Sequence, residues 1–75
     1  MYYIPASAAR DYLRAGSVKA VRRIPQGLND VVILLEPVPT ISSIGKPRET
    51  LCVRLNAVWL MAFENENLLS EVEHD

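Results

Sequence analysis

Along residues 5–15 the apolar positions Pro5, Ala8, Ala9, Tyr12 and Leu13 fall at i, i+3, i+4, i+7 and i+8. That spacing describes one face of an α-helix. Pro5 suits the first turn, where a missing N–H costs nothing, and Gly16 suits the left-handed position just past the end. The pattern predicts a helix over 5–15 with Tyr12 on its buried face. Arg10 and Arg14, four residues apart, take the solvated side, where Asp11 can pair weakly with Arg14.

The period then drops to two. Over 17–24, Val18, Ala20 and Ile24 share one side of an extended segment, and Lys19, Val21 and Arg23 share the other. Arg22 breaks this alternation: strict pleating turns it inward and leaves Arg23 outward beside Lys19. A bulge, a strand end or an interface carboxylate would each accommodate it. Pro25 to Asp30 is rich in turn formers, with Pro25 and Gly27 at positions i+1 and i+3 of a type I turn. Val31-Val32-Ile33-Leu34-Leu35 is too short and too β-branched for a helix. It predicts a central strand covered on both faces. Leu34 in this strand and Val53 in the next are expected to be fully buried. Pro37 and Pro39 end the strand, and from there to Pro47 the chain has little periodicity and forms a long loop. Alternation returns over 49–55, with Leu51, Val53 and Leu55 on one side and Cys52 and Arg54 on the other.

Residues 56–72 satisfy two patterns. As a strand, Ala57, Trp59, Met61 and Phe63 continue the face begun at Leu51. On that pattern Trp59, Met61 and Phe63 belong to the core. As a helix, Asn56 is a good N-cap and Ala, Leu, Met and Glu are strong helix formers; Val58, Trp59, Ala62, Leu69 and Val72 then share one side. The favoured assignment is a strand or hairpin to about Phe63, a polar turn over Glu64–Asn67 and a short helical end at Leu68–Val72. His74 and Asp75 are expected to fray.

Together these elements predict an α+β fold in a single small domain spanning 1–75. An N-terminal helix packs on a three- to four-stranded, mainly antiparallel sheet, with a short C-terminal helix. The alternative is a small, nearly all-β barrel of SH3-like or Sm-like architecture. A chain of 75 residues buries only about 60% of its unfolded surface. Such domains need help from disulfides, metals, assembly or very good packing. The single cysteine, Cys52, excludes an internal disulfide, and Cys52 with His74 is too few soft ligands for a structural zinc site. An apolar share of 49% leaves two outcomes: a dense core, or a core plus a patch that a second subunit covers. No secretory signal follows Met1, and the longest apolar stretch, Leu51 to Phe63, is interrupted by Arg54 and Asn56. It falls short of the ~20 residues a bilayer span requires. These features predict a cytoplasmic protein with no membrane role.

Charge is unevenly laid out. Residues 1–25 carry Arg10, Arg14, Lys19, Arg22 and Arg23 against Asp11 alone, whereas residues 58–75 carry Glu64, Glu66, Glu71, Glu73 and Asp75 with no cation. The overall net charge of −1 conceals this polarity. It bears on partners and self-association, not on fold. Paired between two subunits, basic residues 10–23 of one chain would meet acidic residues 64–73 of another.

Catalytic chemistry is not indicated. The only histidine is next to the C-terminus, Cys52 sits inside a predicted strand as a buried thiol, and the glutamates form a solvated face. No cofactor or metal is implied. Gly45-Lys46 resembles the end of a phosphate loop, but Thr40 and Pro47 occupy the positions that need glycine and a hydroxyl. Ser42, Ser43, Gly45, Lys46 and Arg48 still offer an anion-holding loop over 40–48 for a small phosphorylated ligand. The N-terminal cations, with Tyr2, Tyr3 and Tyr12 nearby, suggest a second alternative, a small nucleic-acid binder. The pI of about 5.7 argues against it, as does the burial expected for Tyr12. The favoured function is a non-catalytic interaction module acting as a homo-oligomer or on a partner protein, in the manner of a compact accessory regulator. Its candidate contact residues are Arg10, Arg14, Lys19, Arg22, Arg23, Lys46 and Arg48.

Overall fold

A computed structural model describes residues 2–70 and 72–74, residues 73 and 74 by their backbone alone. Met1, Glu71 and Asp75 lie outside the described residues, so the acidic positions assigned to 71 and 75 receive no placement. In chain order the elements are β1 (Tyr2–Tyr3), α1 (Ala6–Ala15), β2 (Val18–Gln26), β3 (Asp30–Pro37), a 3-10 turn at Ile41–Ser43, β4 (Leu51–Leu55), α2 (Ala57–Asn65) and β5 (Glu73–His74). The sheet order is β1-β4-β3-β2-β5. β2, β3 and β4 are antiparallel, while the two-residue strands β1 and β5 add in parallel at the opposite edges. The sheet is therefore mixed and open, and both helices contribute to a core on one of its faces. The fold is α+β with an N-terminal and a short C-terminal helix; it is not a closed barrel.

α1 begins one residue later than the pattern predicts, with Pro5 in extended conformation at the N-cap. Gly16 takes φ 75°, and the N–H groups of Gly16 and Ser17 return to the carbonyls of Leu13 and Tyr12. That is a Schellman ending, which needs a residue at ease in the left-handed region. The buried stripe runs through Ala6, Ala9 and Leu13, with Ile4 ahead of it. Tyr12, expected inside, is 45% exposed. At 3.6 residues per turn Tyr12 falls at the margin of the stripe that Ala6, Ala9 and Leu13 define.

The broken alternation at Arg22 has a definite cause. The register between β2 and β3 shifts between Ala20 and Arg22, so Val21 is an extra residue. A bulge of this kind reverses the facing of everything after it. Ala20 pairs with Leu35 and Arg23 with Ile33, both on the helix side, whereas Arg22 pairs with Leu34. Arg23 is thus the residue on the core face and Arg22 the one on the opposite face, the reverse of strict alternation. β2 runs on through Pro25, and the hairpin closes at the Gln26–Asp30 pair around Gly27, Leu28 and Asn29.

β3 is central, as its apolar run predicts. Val31, Ile33 and Leu35 join Val53, Leu55, Val18 and Ala20 under the helices, and Phe63 of α2 completes the core. The second face of the sheet carries the rows Arg22–Leu34–Cys52–Tyr3 and Ile24–Val32–Arg54. Val32 and Cys52, in mid-row, are buried between longer neighbours even though the helices pack on the other face. Leu34, expected to be fully buried, is only half-buried because it lies on this second face. Val53 is fully buried, as expected.

Residues 56–72 depart most from the favoured assignment. Ala57–Asn65 is a helix, not a strand, and the described residues of the expected C-terminal helix, 68–70 and 72, are not helical. Asn56 Oδ1 accepts from the Trp59 N–H at 2.9 Å and starts the helix. Asn67 at φ 58° ends it, the N–H groups of Asn67 and Leu68 returning to the carbonyls of Glu64 and Phe63. Helix formers between two asparagine caps outweigh the period-two coincidence. The C-terminal segment then comes back to the sheet: Val72 is buried in the core, and β5 pairs Glu73 and His74 with Arg22 and Arg23. His74 is paired by its backbone rather than frayed.

Candidate functional site

The fold scatters the seven cations singled out from the sequence. Arg10 and Arg14, one turn apart on α1, converge on Glu66 just past α2. Arg14 donates through Nε and Nη2 to Glu66 Oε1, each at 2.7 Å, and Arg10 Nη1 lies 3.8 Å from Oε2. Asp11 is therefore not the partner that Arg14 takes. The Arg10 guanidinium also sits over the Trp59 ring at 5.3 Å, a cation–π contact, and its Nε is buried without a hydrogen-bond partner. Trp59 in turn meets Phe63 edge-on, centroids 6.3 Å apart. Arg23, brought to the helix side by the bulge, lies 3.8 Å from Glu64 of α2. Acidic positions near residue 65 thus face basic positions of the N-terminal third within one chain.

Lys19 and Arg22 lie on the second sheet face, where Lys19 is directly opposite Glu36. Tyr3 and Arg54 share that face. Lys46 and Arg48 are elsewhere again, in the loop after β3. There they line a shallow groove of about 250 Å³ with Pro37, Val38, Ser43 and Glu49. The hydroxyls proposed to join them are occupied locally. Ser43 Oγ accepts from the Thr40 N–H at 2.7 Å and donates to the Thr40 carbonyl at 2.9 Å, and Ser42 Oγ lies 3.0 Å from Thr40 Oγ1. These contacts close a capping box on the 3-10 turn. The loop holds itself in shape with the groups an anion would need.

A different surface stands out. From Ala57 to Phe63, α2 is apolar at every position. Helices of that composition are normally enclosed on all sides. Here Trp59, Leu60 and Phe63 pack inward, while Val58 and Met61 are 77% and 64% exposed. Ala57 and Asn65 complete the outer stripe, since 57, 58, 61 and 65 fall on one side at 3.6 residues per turn. The β2–β3 hairpin carries Leu28, 99% exposed, to the same place. Between hairpin tip and helix runs a groove of about 280 Å³ lined by Leu28, Asn29, Ala57, Leu60, Met61 and Glu64.

Trp59, Met61 and Phe63 were expected to act together as a core face, but the helix sends Phe63 inward and Met61 outward. The signal for the outer surface is present in the sequence. A helix begun by Asn56 and apolar for seven residues cannot turn every side to so small a core. Leu28 is the one large apolar residue in a run of turn formers.

Among the described residues no polar or charged residue is buried as a whole, the Arg10 Nε being the buried atom of a half-buried one. Among them, too, no group of three or more His, Cys, Asp or Glu side chains could hold a metal ion, and no helix is long and apolar enough to cross a membrane. Compared with known protein families, curated proteins and solved structures, the chain matches none.

Proposed function

We propose that this chain is a non-catalytic, cytoplasmic protein–protein interaction module whose contact surface is the outer face of α2 together with the β2–β3 hairpin tip. The exposure of Val58 and Met61 on a helix that is apolar all round carries this reading. Burying such side chains against a partner contributes about 1.5–3 kcal/mol each when complete.

The ion pairs favour this reading over a phosphate-binding face. Arg10, Arg14 and Arg23 are engaged by Glu66 and Glu64, so a nucleic acid would have to displace carboxylates already in place. The internal hydrogen bonds of Thr40, Ser42 and Ser43 weigh similarly against a phosphorylated ligand at the 40–48 loop. The test is gel filtration of the tagged protein in extract of its native host. The protein should elute well above its 8.4 kDa, and Met61→Glu should return it to the monomer position. Elution as a free monomer, or micromolar binding of single-stranded RNA at physiological salt, would overturn the proposal.

A further inference from the structure

Beyond β2 the sheet is completed by the chain's own β5, and that closure is slight. β5 is two residues long and pairs in parallel with β2, Glu73 opposite Arg22 and His74 opposite Arg23. So short a parallel ladder contributes little by itself, and it falls beside the bulge at Val21, where the pairing with β3 is already disrupted. The hold comes from Val72, buried in the core, and from Leu68 and Leu69, partly buried against it. A segment with one deep anchor and two paired residues can open without the rest of the fold. We infer that the outer edge of β2 is a docking edge for an extended, acidic segment of another protein, and that Val72 with β5 occupies it in cis as a displaceable strap. This edge is a second contact, independent of the α2 surface.

The chemistry of the occupant is read from the segment already seated there. Edge strands recruit extended peptides by backbone pairing, and side-chain pockets supply the selectivity. Here the pocket takes Val72, a β-branched anchor suited to an extended chain. β2 carries Lys19, Arg22 and Arg23 with no Asp or Glu, whereas residues 68–75 carry Glu71, Glu73 and Asp75 with no Lys or Arg. Arg23 also lies 3.8 Å from Glu64, and Lys19 stands opposite Glu36. Charge therefore favours an acidic segment, while the ladder and the anchor hold it. The strap uses little of the edge. A turn over residues 66–70 ties it to α2, so it follows β2 for two residues of nine. Beside it lies a groove of about 160 Å³ lined by Leu13, Val18, Ala20, Asn67 and Leu68. A partner strand has no tether to α2. Running parallel to β2, it can continue back from the anchor alongside Ala20 and Val18, fill that groove and form a longer ladder. Pro25, with no N–H, limits the ladder at its other end. A strap on so short a tether has an effective concentration of about a millimolar, so it excludes weak ligands and yields to one that pairs further.

Fluorescence anisotropy with a labelled synthetic peptide of residues 67–75, added to the full chain, tests this. Val72→Ala in the chain removes two methyl groups from the anchor of the strap. It should tighten binding of the peptide by about tenfold over the unaltered chain, because the cis competitor is weakened. Changing the valine of the peptide to aspartate should abolish binding, and raising NaCl from about 0.05 to 0.5 M should weaken it. Amide chemical-shift changes in the Val72→Ala chain on adding peptide should centre on Val18–Arg23. Equal binding by the two chains, binding of the aspartate peptide, shift changes away from β2, or no binding to a folded Val72→Ala chain would overturn the inference. So would a doubled mass of Val72→Ala without peptide, since the segment of a second copy would then be the occupant. Far-ultraviolet circular dichroism shows whether the variant folds. If it does not, hydrogen exchange of the unaltered chain decides: the amides of Val72–His74 should exchange about 100-fold faster than that of Ile33. Equal protection would mean that the strap opens only when the whole chain unfolds, and would overturn the inference.

Discussion

Neighbouring residues in β3 have different roles, and the difference is measurable. Ile33 is fully buried under the helices, while Leu34 is half-buried on the other sheet face. Ile33→Ala should cost about 2–5 kcal/mol, the usual range for emptying a close-packed site. Leu34→Ala should cost about 1–2 kcal/mol, in proportion to the apolar area it hides. Urea denaturation of the two variants checks the ordering; equal losses would mean that the second face is as closely packed as the first. The sequence marks both residues as core because an unbroken apolar run carries no record of which side is covered. Residue 21 hides a similar ambiguity. The misplaced Arg22 signals an irregularity, but choosing a bulge over a strand end needs the pairing with β3, a contact between distant positions.

Most of the element boundaries were legible, because the signals that set them are local. Gly16 ends α1, the β-branched run makes β3 and alternation marks β4. β1 and β5 were not, since two residues hold no periodicity and both strands exist only through a partner already in place. For α2 the decisive signals were the two asparagine caps, which a strand pattern over Ala57–Phe63 masked. The clasp between α1 and the end of α2 is a further element-level feature invisible in the sequence, because it joins positions about fifty residues apart. Glu66 is still about 29% exposed, and water screens such pairs. Glu66→Gln should therefore cost only about 0.5–1 kcal/mol, and the cost should shrink in 1 M salt. Chemical denaturation at low and high salt measures both. A loss above 2 kcal/mol that ignores salt would mean that Glu66 fixes the packing of the helices rather than merely pairing charges.

For the molecule as a whole, the charge polarity of the sequence folds back on itself at Glu64 and Glu66. Basic α1 and β2 lie against the acidic end of α2, so part of what looked like an outward dipole is internal pairing. The candidate cations could be picked out by type but not gathered into a site, because Arg10, Arg14 and Arg23 turn to the end of α2, Lys19 and Arg22 lie on the opposite sheet face, and Lys46 and Arg48 sit in the loop after β3. The apolar excess was the more reliable guide. It left open a dense core or a core plus a patch, and the exposed Val58 and Met61 of α2 have the character of such a patch. The molecule is also elongated, 39 Å by 21 Å by 21 Å, because the β2–β3 hairpin is the longest pair of strands. That length carries Leu28 out to the border of the same patch.

The two patterns in Ala57–Phe63 have one more consequence. The segment is a helix only while its caps and the core hold it; released, it is seven apolar residues with no charge and no proline. Short uncharged segments that can alternate as strands are those that stack into cross-β fibrils. Heating this chain should therefore end in irreversible aggregation with a thioflavin-positive, β-rich product. Val58→Lys, on the exposed side, should suppress that product with little change in the midpoint of unfolding; aggregation unaffected by this charge would place the sticky segment elsewhere. A partner seated on α2 would then do more than complete a complex. By holding the helix shut, it would keep its own binding segment from turning into an amyloid strand.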